Sequence, residues 1–459
     1  MSLDDARFSV LRYLPSETEN AYGPRIVDPR SGEIIEAHIC WFHNVMNLLT
    51  KWYMIQCGPL DKRAQKMKFD DKLMGQLIRF VSSHEVGHTL GLRHNMGASF
   101  ATPVEKLRDK QWVEQHGHTA SIMDYARFNY VAQPEDKIGE KGLFPRINDY
   151  DKWAIKWGYQ WRPEFKDEFE EKDKLMKETT NVLRGNQRLW FGGEGRDEDP
   201  RAQTEDLGDN SVKASDYGIK NLKRIMEKLP EWTREENDLF YDNLTMMYRE
   251  VAGQFNRYQN HVLKNIGAQY LDNLPDEEPR TIVPKARQKE ALDYIGRHVF
   301  DAPEWLYPST IINKVGVDPA SQQDSRQENV INRLLSGYLL NKISRQAGRE
   351  GAYPIDEYLN DLFALVWKPL TGSDWQRRER RSLQRTYVAQ LDRLLNPAEK
   401  TLSSDRIEGS DVLLYVLQHL DKLEQHLKGQ AGEGIDGLHY ANLLERIQLI
   451  RDRRKSPLK

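Results

Sequence analysis

The beginning of the chain alternates short apolar, β-branched and aromatic stretches with polar turns. Residues 7–14 form such a stretch and end at Pro15, so they predict a β-strand. Residues 22–27 and 33–41 predict two further strands, because the Asp-Pro-Arg-Ser-Gly sequence between them is typical of a tight turn. The chain is therefore predicted to begin with a small β-sheet.

Helical spacing replaces this pattern from residue 44 onward, where apolar side chains recur every three or four positions. Residues 44–56 predict one amphipathic helix. Asp70 or Asp71 is suited to cap a second helix. The inward-facing stripe of this second helix consists of Leu73, Leu77, Val81, His84 and His88. Two histidines thus continue a buried apolar stripe, which predicts that they lie at the edge of a core.

The rest of the chain is predicted to be mostly helical. Asn148 is suited to cap a helix that runs to Trp157. The capping-box pattern of residues 233–236 predicts the start of a long helix that ends at Gly267. Residues 185–210 are rich in glycine and acidic residues and predict a solvated loop, without the spacing of a calcium-binding EF-hand. Further helices are predicted at 321–346, 355–367, 374–395, 410–428 and 437–453.

Composition narrows the possible classes of protein. A chain of 459 residues with 39% hydrophobic and 30% charged residues is expected to form two or three domains with heavily charged surfaces. The net charge of −3 gives no case for binding to nucleic acid or to an anionic membrane, and the basic run 377–381 is predicted to be a solvated helix face.

No apolar run reaches the length of a transmembrane helix, and the first residues lack a signal-peptide core. Cys40 and Cys57 are interpreted either as two buried free thiols or as one disulfide.

The densest group of candidate metal ligands is the HEVGHTLGLRH sequence that begins at His84. On a helix, His84 and His88 project from one face one turn apart, so both can bind the same metal ion. Gly91 permits the backbone to leave the helix and turn back, which brings His94 to the site as a third ligand. Three neutral imidazoles and one open position are typical of a catalytic zinc site. Glu85 lies beside this face and is suited to polarise a metal-bound water.

A second motif, Ser-Ile-Met-Asp-Tyr at residues 121–125, follows the third histidine. The HExxHxxGxxH motif and this segment resemble those of the metzincin zinc proteases. The chain looks most like a bacterial group of large exported zinc metalloproteases with a helical C-terminal extension. The resemblance implies that Met123 forms a hydrophobic floor beneath the histidines, the Met-turn. It also implies that Tyr125 ligates the metal or hydrogen-bonds the transition-state oxyanion, with a merely packed tyrosine as the alternative. Asp124 and Asn95 depart from the well-known metzincin subgroups.

The resemblance implies an α+β fold, in which a zincin-like catalytic domain with a small mixed sheet and an active-site helix precedes a mostly α-helical domain. The expected boundaries are a catalytic domain at 1–160, a loop-rich connection at 161–210 and an all-α domain at 211–459. Metzincin catalytic domains ordinarily begin with additional elements, so this one is expected to be a fragment lacking its N-terminal part, with about three strands instead of five. The backbone of Gly23, Pro24, Arg25 and Ile26 is expected to pair with an extended substrate, unless the hairpin is purely structural.

These observations predict a zinc-dependent endopeptidase that binds one Zn²⁺ per chain through His84, His88 and His94. Glu85 is expected to act as general base, and Tyr125 to support the oxyanion. The expected partners are a peptide or protein substrate and no nucleic acid, and export is expected from the resemblance. A calcium ion is a possible further cofactor that the sequence does not indicate, and the histidines at 116 and 118 are interpreted as solvated or as a second metal site. The alternative function is a zinc-binding module that holds a peptide or glycan without cutting it.

Overall fold

The structure is a computed structural model that describes residues 5–194, 199–272, 274–430 and 432–455. The chain divides into two compact units. The first is Met1–His261 with Tyr270–Pro279, and the second is Val262–Gln269 with Arg280–Lys459. The domain boundaries predicted at 160 and 210 do not coincide with this division, and they stay predictions. Within the described ranges, no helix combines the length and apolar character needed to cross a membrane.

The small sheet predicted at the start of the chain is present in the first unit. Strand β1 (Val10–Leu14) pairs in parallel with β4 (Ile34–Phe42), and the short strands β2 (Ala21–Tyr22) and β3 (Arg25–Val27) pair antiparallel with β4. The single strand predicted at 22–27 is therefore broken, because Pro24 has no N–H to donate to a ladder. Since β2 and β3 both pair with β4, they act as one interrupted strand, and the sheet has the expected width of about three strands.

Strand β1 forms an edge of the sheet, and β4 is its one strand partner within the described residues. It begins at Val10, later than the predicted start. Leu11 is 60% exposed, whereas its ladder partner Ile39 is buried, and Tyr13 is likewise exposed beside the buried Trp41. The apolar face of the sheet is thus covered at β4 and open at β1.

Two helices follow the sheet and form the framework of the site. Helix α1 (Val45–Cys57) confirms the helix predicted at 44–56. Helix α2 (Asp71–Thr89) packs against α1 and β4, and Asp70 caps it as predicted by accepting the backbone N–H of Leu73. Beyond the helix, Gly91 has a φ of +91°, a conformation that L side chains rarely adopt. The predicted turn away from the helix is therefore present.

Four more helices complete the part of the first unit that precedes residue 186: α3 (Lys110–His116), α4 (Glu140–Leu143), α5 (Asp149–Tyr159) and α6 (Glu168–Gly185). Asn148 caps α5 as predicted, in a capping box with Asp151. Helix α6 occupies much of the stretch predicted to be a loop-rich connection. Its N-cap is Asp167, whose side chain accepts two backbone N–H groups of the first turn.

The prediction of a solvated loop over 185–210 is wrong for its second half. Asp199 and Glu205 are buried, and each is compensated by arginine. Arg201 pairs with Asp199 at 2.8 Å, and the Glu205 carboxylate lies 2.9 Å from Arg127 and 3.0 Å from Arg257. Acidic side chains are expected to be exposed to solvent only where the fold brings no cationic side chain next to them. The centre of the acidic run, residues 195–198, lies outside the described ranges.

The helix start predicted from the capping box at 233–236 is wrong. These residues lie between helix α7 (Ser211–Trp232) and helix α8 (Asp242–Leu263). Thr233 is the C-cap of α7 instead of starting a helix, and its hydroxyl donates to the carbonyl of Leu229. The first turn of α8 is capped by Asp238, whose carboxylate accepts the N–H groups of Asp242 and Asn243. Beyond α8, strands β5 (Gln269–Leu271) and β6 (Arg280–Ile282) form a two-stranded sheet.

The second unit is helical, so an α+β region is followed by an α-helical region as expected. Its helices are α9 (Lys285–Ile295), α10 (Ser309–Val315), α11 (Pro319–Leu334), α12 (Gly337–Ser344), α13 (Ile355–Val366), α14 (Asp374–Leu395), α15 (Val412–Lys428) and α16 (Gly434–Lys455). The helix predicted at 321–346 is two helices, because Ser336 caps α12. The prediction that residues 377–381 form a solvated helix face is wrong. Glu379 and Arg380 are buried, and Arg378 pairs with Asp324 at 2.7 Å.

Candidate active site

Three imidazoles converge where α2 ends. His84 and His88 lie one turn apart on α2, and the turn at Gly91 returns His94 to them. The candidate ligand atoms of the three side chains all lie within 4.8 Å of one another, and Nε2 of His88 is 3.0 Å from Nε2 of His94. A set of nitrogens this compact is suited to a single small metal ion.

Backbone carbonyls fix the tautomers of His84 and His88. Nδ1 of His84 lies 2.8 Å from the carbonyl oxygen of Ile122, and Nδ1 of His88 lies 3.0 Å from that of Leu92. A carbonyl only accepts, so each Nδ1 carries the hydrogen and each Nε2 keeps its lone pair. Burial lowers the pKa of His84 to about 3 and also lowers the pKa of His88, so both rings are neutral. Nε2 of His84 is buried and has no hydrogen-bond partner among the described residues, which fits a metal ligand.

The third imidazole has a different partner. Nδ1 of His94 is hydrogen-bonded to a carboxylate oxygen of Glu194. Nothing in the sequence pattern pointed to Glu194, which lies a hundred residues beyond His94 in a stretch without recognisable motifs. All three Nδ1 atoms are thus engaged, and the donor set fits Zn²⁺.

Glu85 adjoins this cluster as the motif predicts. Its side chain is buried, and its Oε2 has no hydrogen-bond partner in the part of the chain that the structure describes. Burial raises the pKa of Glu85 to about 7, and a hydrogen bond from the backbone N–H of Gly23 partly opposes that rise. A Cβ on Gly23 would lie 2.7 Å from the carbonyl oxygen of Glu85, so a side chain there would push the backbone off α2. Gly23 therefore allows the strand region to approach the carboxylate.

Met123 lies against the turn of α2 between the first two histidines. A Cβ on Gly87 would be 2.2 Å from Sδ of Met123, so the glycine of the motif makes room for this side chain. Met123 is fully buried, and its carbonyl accepts the N–H of Asn95 at 3.0 Å. The methionine thus contacts the helix that carries His84 and His88 and the residue that follows His94.

Asp151 anchors the segment that contains Met123. Its carboxylate accepts the hydroxyl of Ser121 at 2.5 Å, the N–H of Ile122 at 2.8 Å and the N–H of Asn148 at 2.8 Å. The carbonyl of the same Ile122 is the acceptor for His84. Sequence reasoning identified only the helix cap here, although the spacing of Asn148 and Asp151 was the available signal. The start of helix α5 therefore positions a candidate metal ligand through a single residue, Ile122.

The ring of Tyr125 packs against two of the three histidines. Its ring centroid lies 4.4 Å from that of His94 and 5.3 Å from that of His84. Burial raises the pKa of Tyr125, so its hydroxyl is a neutral donor near pH 7. A cavity of about 280 Å³ adjoins His84, Glu85 and Tyr125, and its further walls include Val45, Leu48, Trp52, Phe80 and Arg127.

The predicted substrate-binding segment lies beside the cluster. Beyond the contact of Gly23 with Glu85, Arg25 donates from Nη1 to the carbonyl of His88 at 3.2 Å, and the Pro24 carbonyl accepts the N–H of His38. Ile26 is 55% exposed. Within the described ranges, β2 and β3 have β4 as their one strand partner, so their outer edge carries no strand.

The remaining candidate sites do not join this cluster. His118 is buried and its Nε2 lies 3.0 Å from the carbonyl of Arg127, and burial lowers its pKa to about 4. Among the residues that the structure describes, the three histidines are the one group of at least three His, Cys, Asp or Glu arranged to hold a metal ion. Cys40 and Cys57 are free and buried. This confirms the interpretation as two buried thiols and not the alternative of a disulfide.

Comparison with known proteins agrees with this geometry. No curated protein and no solved structure matches the chain. Residues 66–374, about two thirds of the chain, match the family profile described as Met-zincin. The matched range includes helix α2, the third histidine and the segment around Met123. The chain therefore belongs to the Met-zincin family, whose members are zinc-dependent metalloproteases.

Proposed function

We propose that this metalloprotease is an endopeptidase with one Zn²⁺ site made by His84, His88 and His94. The observation that carries the proposal is the convergence of three imidazoles whose Nδ1 atoms are all engaged, with a buried carboxylate beside them. Bound Zn²⁺ supplies a Lewis acid for the scissile carbonyl and lowers the pKa of a coordinated water to about 7. Export of the protein, inferred from the family resemblance, belongs to the same proposal, and cell fractionation checks it.

Glu85 is the proposed general base. It takes a proton from the attacking water and later delivers that proton to the leaving amine. Its side chain is buried next to the histidines, and among the described residues Oε2 has no hydrogen-bond partner, so this oxygen is available to accept the proton. The N–H of Gly23 holds the carboxylate in place without competing as a base.

The peptide is proposed to lie along the outer edge of β2 and β3, with its backbone added as a further strand. Two observations support this placement: within the described ranges this edge has no strand partner, and Gly23 contacts Glu85. An extended chain bound at this edge would lie next to the base. The adjoining cavity is suited to one substrate side chain beside the scissile bond, because His84, Glu85 and Tyr125 form part of its wall.

Cleavage-site profiling on a peptide library tests this function. We expect internal peptide bonds to be cut, activity to be lost on treatment with a zinc chelator, and activity to return when Zn²⁺ is added in slight excess. Zinc binding without cleavage of any peptide would favour the non-proteolytic module instead. Cleavage that persists in excess chelator, after metal analysis shows the zinc removed, would contradict a zinc mechanism.

Replacing Tyr125 with phenylalanine should lower kcat about tenfold or more with little change in KM, because only a transition-state hydrogen bond is lost. The ring and its stacking on the histidines remain, so zinc content should stay the same. Steady-state kinetics on one peptide and metal analysis measure both. An unchanged kcat would leave Tyr125 as a packing residue.

A further inference from the structure

The partner of His94 distinguishes it from the other two histidines. His84 and His88 lie on a helix and direct Nδ1 at backbone carbonyls, whose positions follow from the fold. His94 lies beyond the helix, in an irregular segment, and its Nδ1 meets the carboxylate of Glu194. The ligand with the least secondary structure around it is therefore the one with a charged acceptor.

The segment that carries Glu194 is bound to the residue next to His94. Nδ2 of Asn95 donates to the carbonyl of Trp190 at 2.9 Å, and the N–H of Gly192 donates to Oδ1 of Asn95 at 2.8 Å. Asn95 is completely buried. One amide side chain thus binds the Glu194 segment through both its donor and its acceptor, immediately after the third histidine in the chain.

A second contact holds the same two segments together. The N–H of Gly97 donates to the carbonyl of Gly192 at 3.1 Å. A Cβ on Gly97 would lie 2.1 Å from the ring of Trp190, so the backbone and the indole are in direct contact. The carboxylate that reaches His94 is therefore presented by a segment docked at two successive points, and its position does not depend on a surface side chain alone.

We propose that Glu194 is a positioning residue for the metal site, which holds His94 with Nε2 directed at the metal and strengthens it as a ligand. This inference rests on the proposed zinc function. A carboxylate that accepts the Nδ1 hydrogen fixes the tautomer and ring orientation and increases the basicity of the coordinating nitrogen. Such partners typically change metal affinity by about 10- to 100-fold. The Glu194 side chain is 53% exposed, so solvent weakens the interaction and we expect the lower end of that range.

Zinc affinity, measured by competition with a chromogenic chelator, tests the role without requiring catalysis. We expect Glu194→Ala to bind Zn²⁺ about tenfold more weakly than the wild-type chain. Glu194→Gln keeps the shape and an acceptor oxygen but loses the charge, so its affinity should fall between the two. Glu105→Gln is the matched control, since Glu105 is similarly exposed and pairs with Lys213 away from the histidines. Its affinity should equal that of the wild type.

The outcomes separate this inference from the proposed function. Wild-type zinc binding with no loss in Glu194→Gln and Glu194→Ala overturns the positioning role and leaves the zinc site intact. A wild-type chain that binds no zinc overturns both. Thermal unfolding of the metal-free proteins should show the same midpoint for Glu194→Gln and wild type, because the substitution leaves the docked segment unchanged. A lowered midpoint together with unchanged zinc affinity would assign Glu194 to folding alone and overturn the proposal.

Discussion

The Glu85→Gln variant should retain one bound Zn²⁺ and lose peptide hydrolysis by about two to four orders of magnitude. The amide cannot take a proton from the attacking water, whereas it fills the same volume in the buried site beside Gly23. Its carbonyl oxygen can still accept the Gly23 N–H, so the strand region should keep its contact with α2. The expected change is therefore confined to kcat, which steady-state kinetics on a cleaved peptide measures.

Metal analysis and thermal unfolding are the controls for this variant. Zinc content equal to that of the wild type shows that Glu85 is not a ligand, and an unchanged unfolding midpoint shows that the site is intact. Glu105→Gln provides a carboxylate-to-amide change at an exposed position of the same unit and should retain full activity. A Glu85→Gln enzyme with activity within tenfold of the wild type would exclude Glu85 as the general base.

The double variant His84→Ala/His88→Ala should lose zinc altogether, whereas the wild-type chain should carry close to one Zn²⁺ per molecule. The substitutions leave one imidazole of the three-histidine group, which is too few for a stable site. Inductively coupled plasma spectrometry on proteins purified without chelator measures the zinc content. Peptide hydrolysis should fall to background in the same preparation.

Zinc should also stabilise the wild-type fold. A ligand bound only by the folded state contributes about 4 kcal/mol when its free concentration is 1,000 times the dissociation constant. Adding zinc to the metal-free chain should therefore raise the unfolding midpoint of the wild type and leave that of the double variant unchanged. His116→Ala is the matched control, because His116 stacks on Trp112 outside the three-histidine group. Full zinc retention by the double variant would contradict the ligand assignment.

Much of the candidate site could be predicted from the spacing of nearby residues in the sequence. His84 and His88 recur at the helical period and share the buried stripe of α2, so any helix in that place would bring them together. Asp70 and Asn148 cap helices as predicted, because a cap needs only the residues of the first turn. The turn at Gly91, with its positive φ, is local in the same sense.

Predictions from local sequence patterns were wrong where contacts between distant residues determine the structure. The capping box at 233–236 is a valid local pattern, yet Thr233 ends a helix because its neighbours continue α7 to Trp232. Glu205, in the acidic stretch after residue 198, is buried because Arg127 and Arg257 come from distant parts of the chain to neutralise it. The strand predicted at 22–27 is interrupted where Gly23 donates its N–H to Glu85.

The sequence by itself determined which three histidines converge and which helix carries two of them, because both depend on spacing within a few turns of helix. The α+β class followed from the family resemblance. Only the tertiary structure decided which groups complete the site. Asp151 reaches Ile122 through a helix terminus, and Glu194 reaches His94 across a hundred residues. These partners share no period or motif with the residues they support. Hydrogen bonds between distant segments depend on how those segments pack, and packing is a property of the folded chain as a whole.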